Sequence, residues 1–516
     1  MHFDIIVSSL ANLVTTPHLV GLMLLAVPIG TFFGTVPGLG GKLGVVMMIP
    51  FVYGMDTLSG CVFLLAMHSV VHTGGAIPSI LFGIPANGPE AATIPDGFPL
   101  AQQGKAGRAI GATLTASGVG GVIGAIVLCL LLPVLQPVIL AFSPAEFFML
   151  ALLGITFIAA VSGESITTGL IVGLLGLMVA FVGLDPQTGT ARFTFGQLFL
   201  WDGVNRITAI LSMYAVPEML GLGITGAAIS KVKHTMRYEA ADVVQGVLDV
   251  FRNWFLTLRT AVMGTFIGMI PGLGGDAASW FCYGHAVQTS KTPERFGKGA
   301  IEGVIAPNTA TNSKEAGGLI PTLFFGVPGS SGMAILIGVF IMLGVQPGPM
   351  MIVNALPLVW SMIWALVIAN VVCSVGLLFC AQWFGRITSL RASLLVPCVF
   401  IMALLGCYLS SLQWENMVVL LGSGVFGYLL KRFGWPRAPF IIGIILGSTA
   451  EQSFHKALDI WGPSFLLRPV SIVLMVLIAA SIGFYVYQQH QRKLRPASQN
   501  SAMPASFPTQ QIGERR

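Results

Sequence analysis

Charge is what this chain has least of. Of its 516 residues only 9% are Asp, Glu, Lys or Arg, against 55% hydrophobic, and the mean hydropathy is +0.84. A soluble domain carries roughly a quarter charged residues. A deficit this large, spread over the whole chain, excludes an ordinary water-soluble fold and makes lipid the solvent. Cysteine is scarce as well. The seven residues are scattered, and Cys61, Cys129, Cys373 and Cys380 lie in apolar segments, so they read as small buried hydrophobes. No CxxC or Cys/His spacing occurs, which removes the usual metal frameworks. A GxxxxGK[ST] phosphate loop is also missing, which removes the commonest ATP-driven chemistry. The first residues, MHFDIIVSSL, have no basic start and no small-residue cleavage site, so a cleavable signal is not expected. Residues 3–15 read instead as a short interfacial helix.

Apolar length is abundant. A hydrocarbon core about 30 Å thick needs ~20 apolar residues per helix. The stretches 18–36, 58–71, 109–142, 145–162, 166–184, 207–227, 350–380, 393–412, 415–430, 438–448 and 469–488 reach or approach that length. With short and broken segments allowed, this predicts an all-α polytopic membrane protein with about 10–12 membrane segments. The 63 Gly and 30 Pro fit that class, because broken membrane helices are tolerated where neighbours re-satisfy the backbone. The formal charge of +6 marks topology rather than a nucleic-acid partner. Lys231, Lys233, His234, Arg237, Arg252 and Arg259 make 228–259 a cytoplasmic loop by the positive-inside rule. The basic tail 489–516 is expected to be disordered and cytoplasmic.

The chain also repeats itself. GTFFGTVPGLGG at 30–41 and GTFIGMIPGLGG at 264–275 agree at nine of twelve positions, at an offset of 234. GGAIPSILFGIP at 74–85 returns as GGLIPTLFFGVP at 317–328, offset by 243, and ALLG at 151–154 returns at 403–406. The expected organisation is repeat one over 1–227, a linker over 228–258, repeat two with a C-terminal span over 259–488, and the tail. Whether the repeats are inverted or parallel depends on a span parity that the broken segments leave open. An inverted pair plus one extra span is the plan favoured by carriers with central broken helices.

Each PGLGG contains Pro37, Gly38, Gly40 and Gly41, or Pro271, Gly272, Gly274 and Gly275. Proline stops a helix and glycine permits close backbone approach. Each copy should therefore end a half-helix whose terminus offers partial charge to an ion or a carboxylate. The alternative is that these glycines serve tight helix packing alone. Asn87 follows the first hairpin motif, and Gly329, Ser330 and Ser331 follow the second. Small polar groups at a helix start suit a carboxylate, or ordinary capping. The segment APNTATNSKEAGG at 306–318 offers Asn308, Thr311, Asn312 and Ser313. Asn308, Thr311 and Asn312 are oxygen ligands of the kind a transient Na+ uses; a solvated loop is the alternative. Lys314 and Glu315 either pair with each other or lie at the interface.

Lys42 and Asp276 stand at matching positions after the two PGLGG copies, with opposite charge. Ionisable groups inside a membrane are functional candidates by default. His68 and His72 are one helical turn apart and read as a proton-responsive or hydrogen-bonded pair, since no HExxH or third ligand accompanies them. Glu164 and Glu218 are isolated acids without an assigned role. No resident cofactor and no enzyme activity are expected, because no second catalytic group stands at a motif spacing from these residues.

The longer motifs carry a resemblance. TIPDGFPLAQQGKAGRAIGA at 93–112, ERFGKGAIEGVIAP at 294–307 and GGLIPTLFFGVPGSSGMAILIGVFIMLGVQPGPMM at 317–351, together with the two PGLGG copies, resemble the large membrane subunit of bacterial tripartite tricarboxylate transporters. The resemblance covers residues 20–485. It implies a permease in the bacterial inner membrane, driven by a Na+ or H+ gradient, that imports an organic anion delivered by a periplasmic solute-binding protein. A small membrane subunit of about four spans would accompany it. A passive anion channel is the competing reading. The chain departs from the family pattern at Asn308, where an acid is usual, at Thr311 beside Asn312, where a second Asn is usual, and at His72, Ala76, Ala86 and Asp276. These departures fall on the expected site, so citrate is not implied as the substrate.

Overall fold

The computed structural model describes residues 2–36, 40–140, 142–161, 166–185, 187–225, 240–271, 277–387, 392–409 and 411–494. They are almost entirely helical. The first half holds α1 (His2–Thr15), α2 (Pro17–Thr35), α3 (Gly40–Val52), α4 (Thr57–Phe82), α5 (Ile94–Gln102), α6 (Ala106–Leu140), α7 (Pro144–Val161), α8 (Ile166–Ala180) and α9 (Arg206–Thr225). The second holds α10 (Ala240–Arg252), α11 (Trp254–Gly268), α12 (Ala277–Thr289), α13 (Glu302–Leu319), α14 (Ser331–Met342), α15 (Met350–Asn354), α16 (Leu356–Ile387), α17 (Ala392–Leu409), α18 (Glu415–Arg432), α19 (Ala438–Trp461) and α20 (Pro469–Leu494). A two-residue antiparallel ladder, Gly183–Leu184 with Ala191–Arg192, sits in the excursion between α8 and α9.

Among the described residues, α2, α4, most of α6 and most of α16 are long and apolar enough to cross a bilayer alone, and α19 with α20 forms a bent pair. Six further apolar helices are shorter. This is the all-α polytopic membrane architecture expected from composition. The interval 228–259, read from its charge as a loop, contains α10. Its Val243 and Gly246 meet the backbone of α6, and Arg108 Nε lies 2.5 Å from Asp249 Oδ2. Helical spacing of the apolar positions, rather than net polarity, decides that segment.

The packing carries the duplication down to single contacts. α2 lies along α4, and α11 lies along α13. A Cβ placed on Gly30 or Gly34 would meet the carbonyls of Met67 or Val71, and one on Gly264 or Gly268 would meet the backbone of Ala310 or Lys314. These are counterpart pairs at the offsets of the two sequence motifs. Small residues at three-residue gaps let helix backbones touch in lipid, where water supplies no driving force for association. The long helices are exchanged: α4 packs on α16 of the other half, and α13 packs on α6. The pairs α8 with α19 and α9 with α18 follow the same exchange.

Buried hydroxyls on these helices are satisfied locally. Thr31, Thr260, Thr265 and Thr309 each donate to the carbonyl four residues back, at 2.7, 2.8, 2.9 and 2.8 Å. That leaves few polar groups inside the bundle free for other work.

Candidate functional site

Two helices create the site, α4 and α13. Asp56 caps α4, its carboxylate accepting from Ser59 N at 3.1 Å, and Gly83 ends it in the left-handed region at φ 65°. Pro78 lies within its last turns. α13 contains Pro307 and widens into one π-helical turn, Ile320–Phe324, at Pro321. Every residue from Gly303 to Leu319 is buried. The segment 306–318 is therefore a helix enclosed by other helices, and the solvated-loop alternative is removed. Asn308, Thr311 and Asn312 limit the desolvation penalty by bonding across to neighbouring elements, while Thr309 and Ser313 bond back to their own helix.

Beside the crossing of these helices lies a cavity of about 230 Å³. Gly40, Gly41 and Lys42 of α3 line it, with His68 and His72 of α4, Asn87 and Gly88 of the following turn, and Lys314 and Glu315 of α13. Ser330, Ser331 and Gly332 at the start of α14 close one side, and Tyr214 and Glu218 of α9 close another with Arg437. Gly40 has φ 65°, and a Cβ there would fall 2.7 Å from Asn87 Oδ1. Glycine thus brings the start of α3 against the end of the first hairpin.

Its deepest wall is a chain of ionisable groups. Glu90 Oε1 stands 2.6 Å from His72 Nδ1, and His72 Nε2 stands 3.2 Å from Glu315 Oε1. Glu315 Oε2 is 3.3 Å from His68 Nε2. Lys314 Nζ pairs with Glu315 Oε1 and lies 3.4 Å from His72 Nε2. Glu90 is fully buried and both α13 residues are 3% exposed, which leaves pairing as the only way to hold these charges. At the opposite wall Glu218 accepts from Arg437 Nη2 at 3.0 Å and from Lys431 Nζ at 2.5 Å. Lys42 faces the cavity and makes no hydrogen bond or ion pair among the described residues.

The sequence-derived candidates divide into three groups. Gly40, Gly41, Lys42, Asn87, Ser330 and Ser331 meet around the cavity. Ser330 also caps α14, accepting from Met333 N at 3.2 Å, while Gly329 is buried behind it and donates to Thr322 Oγ1 at 3.2 Å. Asn308, Thr311, Asn312 and Ser313 are buried earlier along α13 and do not line the cavity. Asn308 donates to Thr93 Oγ1 at 3.0 Å, Thr311 pairs with Ser279 at 2.8 Å, and Asn312 donates to Thr73 Oγ1 at 2.8 Å and to Asn370 Oδ1. Asn312 Oδ1 is buried without a partner among the described residues. Pro271 is half-buried just beyond α11 and outside the lining. Pro37, Gly38, Gly272, Gly274, Gly275, Asp276 and Glu164 lie outside the described residues. No group of three or more His, Cys, Asp or Glu suited to a metal ion occurs among the described residues.

Sequence reasoning missed Glu90, Tyr214, Gly332 and Arg437. Glu90 is the one acid between Asp56 and Asp96, and an isolated acid in so apolar a stretch is the signal that marks it. Arg437 gives no comparable sign, since a basic residue near a helix end reads as topology.

The comparisons agree with this architecture. The family model described as "Tripartite tricarboxylate transporter TctA family" matches residues 20–442. An "Uncharacterized 52.8 kDa protein in TAR-I ttuC' 3'region" of Agrobacterium vitis is 29% identical over 456 residues, which is 86% of this chain and 88% of that protein. An "Uncharacterized protein in TAR-II ttuC' 3'region" of the same organism is 34% identical over 198 residues, 38% of this chain and 81% of that protein. No solved structure matches. With most of its length inside the family match and its helices apolar enough for repeated membrane crossing, this chain belongs to the tripartite tricarboxylate transporter TctA family, as a multi-pass membrane component of a transport system.

Proposed function

We propose that this chain is the large permease subunit of a secondary transporter of the bacterial inner membrane. It imports an organic anion, a tricarboxylate or another carboxylate, using a Na+ or H+ gradient. A periplasmic solute-binding protein delivers the anion, and a small four-span subunit completes the membrane unit. The observation that carries this reading is the cavity itself. It lies beside the crossing of the two motif-bearing helices, with one uncommitted cation, Lys42, facing it. A carboxylate entering would find that ammonium, the Ser330 and Ser331 hydroxyls and the Asn87 amide. Charge-assisted hydrogen bonds of this kind are the strong ones. Residues 1–227 and 259–488 act as two repeats around the site, and alternating access comes from moving the broken units against the exchanged long helices.

The test is uptake of radiolabelled carboxylates by vesicles holding all three components. Accumulation that follows an imposed ion gradient and needs the binding protein supports the reading. Uptake that survives gradient collapse but requires ATP removes it, and conductance without the binding protein favours a passive anion channel.

A further inference from the structure

We infer that the coupling ion is a proton, and that its carrier is the buried chain Glu90–His72–Glu315–His68 with Lys314. The inference rests on the transporter reading and names its driving ion.

Hydrogen counting sets the constraint. An ionised carboxylate only accepts, and a neutral imidazole has one N–H to give. His72 nevertheless has a carboxylate oxygen close to each ring nitrogen, 2.6 Å from Nδ1 and 3.2 Å from Nε2. With His72 neutral, Nδ1–H donates to Glu90, and the Nε2 lone pair faces both Glu315 and the Lys314 ammonium, 3.4 Å away. Lys314 then serves as donor to Nε2 and to Glu315 together. With one proton added, Nε2–H donates to Glu315, and Lys314 keeps its bond to the same carboxylate. In both states each His72 nitrogen meets a partner of the right kind, so a proton enters or leaves without stranding a buried charge. His68, one turn away and 3.3 Å from the other Glu315 oxygen, extends the path by a second imidazole. Gly332 of α14 leaves room for that ring, because a Cβ there would overlap it.

Charge ties the proton to the anion. Around His72 the charged groups are Glu90, Lys314 and Glu315, with Lys42, Glu218 and Arg437 on the facing cavity walls. Lys431 joins Glu218 from the rim. Asp96, at the far end of α13, is committed to Gly299 N, Ala300 N and the Tyr283 hydroxyl. With His72 neutral, Lys42, Lys314, Arg437 and Lys431 face Glu90, Glu315 and Glu218, a surplus of one positive charge. Adding one proton raises that surplus and strengthens the pull on a carboxylate. By linkage, a bound carboxylate holds the proton equally well, which is the condition for symport.

Proteoliposomes carrying the chain with its small subunit and binding protein test this, with radiolabelled citrate and succinate as probes and an internal pH dye. An imposed inward proton gradient without Na+ should drive accumulation, and the interior should acidify in step with uptake. His72→Gln and Glu315→Gln should lower gradient-driven accumulation about tenfold or more, and the uptake that remains should no longer respond to the proton gradient, while the variant complexes still assemble and melt as the parent does. In the purified complex, the infrared imidazole bands should titrate, and His72→Gln should remove part of that signal. Uptake that follows a Na+ gradient with no acidification overturns the proton assignment and leaves the transporter reading standing. No exchange or uptake under any gradient overturns both. Full proton-coupled accumulation by both variants overturns the carrier assignment.

Discussion

His72 Nε2 lies 3.2 Å from Glu315 Oε1, and the two residues are counterparts in the duplicated sequence, 243 positions apart. Counterparts in a repeat protein meet only near the axis that relates the repeats. Two identical carboxylates there would repel, and two identical imidazoles would compete for one proton. Divergence of the pair into a base and an acid turns a repulsive contact into an attractive one. The same step places Lys314 beside Glu315, where the first repeat has Val71.

Lys42 is expected to set anion affinity. Replacing it by Ala should raise the half-saturating carboxylate concentration about tenfold or more, since a charged hydrogen bond contributes about 1.5–3 kcal/mol. The amount of protein in the membrane should not change. Initial uptake rates across a substrate series check this, and an unchanged half-saturation would move the anion away from α3.

Asn312 should behave differently. Its amide joins Thr73 of α4 to Asn370 of α16, away from the cavity. Asn312→Ala leaves both partners short of a donor and should cost about 1–3 kcal/mol of stability. Thermal unfolding in detergent should show the loss, with a much smaller change in half-saturation than Lys42→Ala produces.

Gly34 and Gly268 make a matched pair of tests. A methyl group at either would overlap the backbone of the partner helix, at Val71 or Lys314. Gly34→Ala and Gly268→Ala should each destabilise the membrane domain by about 1–3 kcal/mol, the usual cost of overpacking. Melting temperatures that fall for one variant alone would show that the two helix pairs are not equivalent in strength.

Asp56 supplies a pH-dependent term. Its hydrogen bonds with Ser59 hold the carboxyl below its ordinary value, with burial opposing. A depressed folded-state value means that the cap stabilises above the ordinary carboxylate range and is lost as pH falls through the folded value. Asp56→Ala should lower stability by about 1 kcal/mol at neutral pH, and the difference from the parent should shrink on acidification. Melting curves of the two proteins at several pH values read this directly.

Part of the site is legible in the sequence. Lys42, Asn87, Ser330 and Ser331 stand out because a charge, amide or hydroxyl next to a broken apolar helix is costly unless it has a task. The same rule points at 306–318 but misjudges its surroundings. Hydroxyls and amides bonded to other helices look, in sequence, like those exposed to water or an ion. Glu90 and Arg437 escape it because their importance depends on partners in distant segments.

Apolar length and scarce charge determined the membrane class from sequence alone, and the longer motifs, with the two PGLGG copies, carried the family. Each is a property of a short segment and its solvent, so it survives without knowledge of neighbours. Tertiary structure decided which ionisable groups meet. The contact between His72 and Glu315 depends on how α4 and α13 cross, which in turn depends on glycines of α2 and α11 fitting against their backbones. An ion pair across 243 residues is a relation between elements, and only their packing brings it into being.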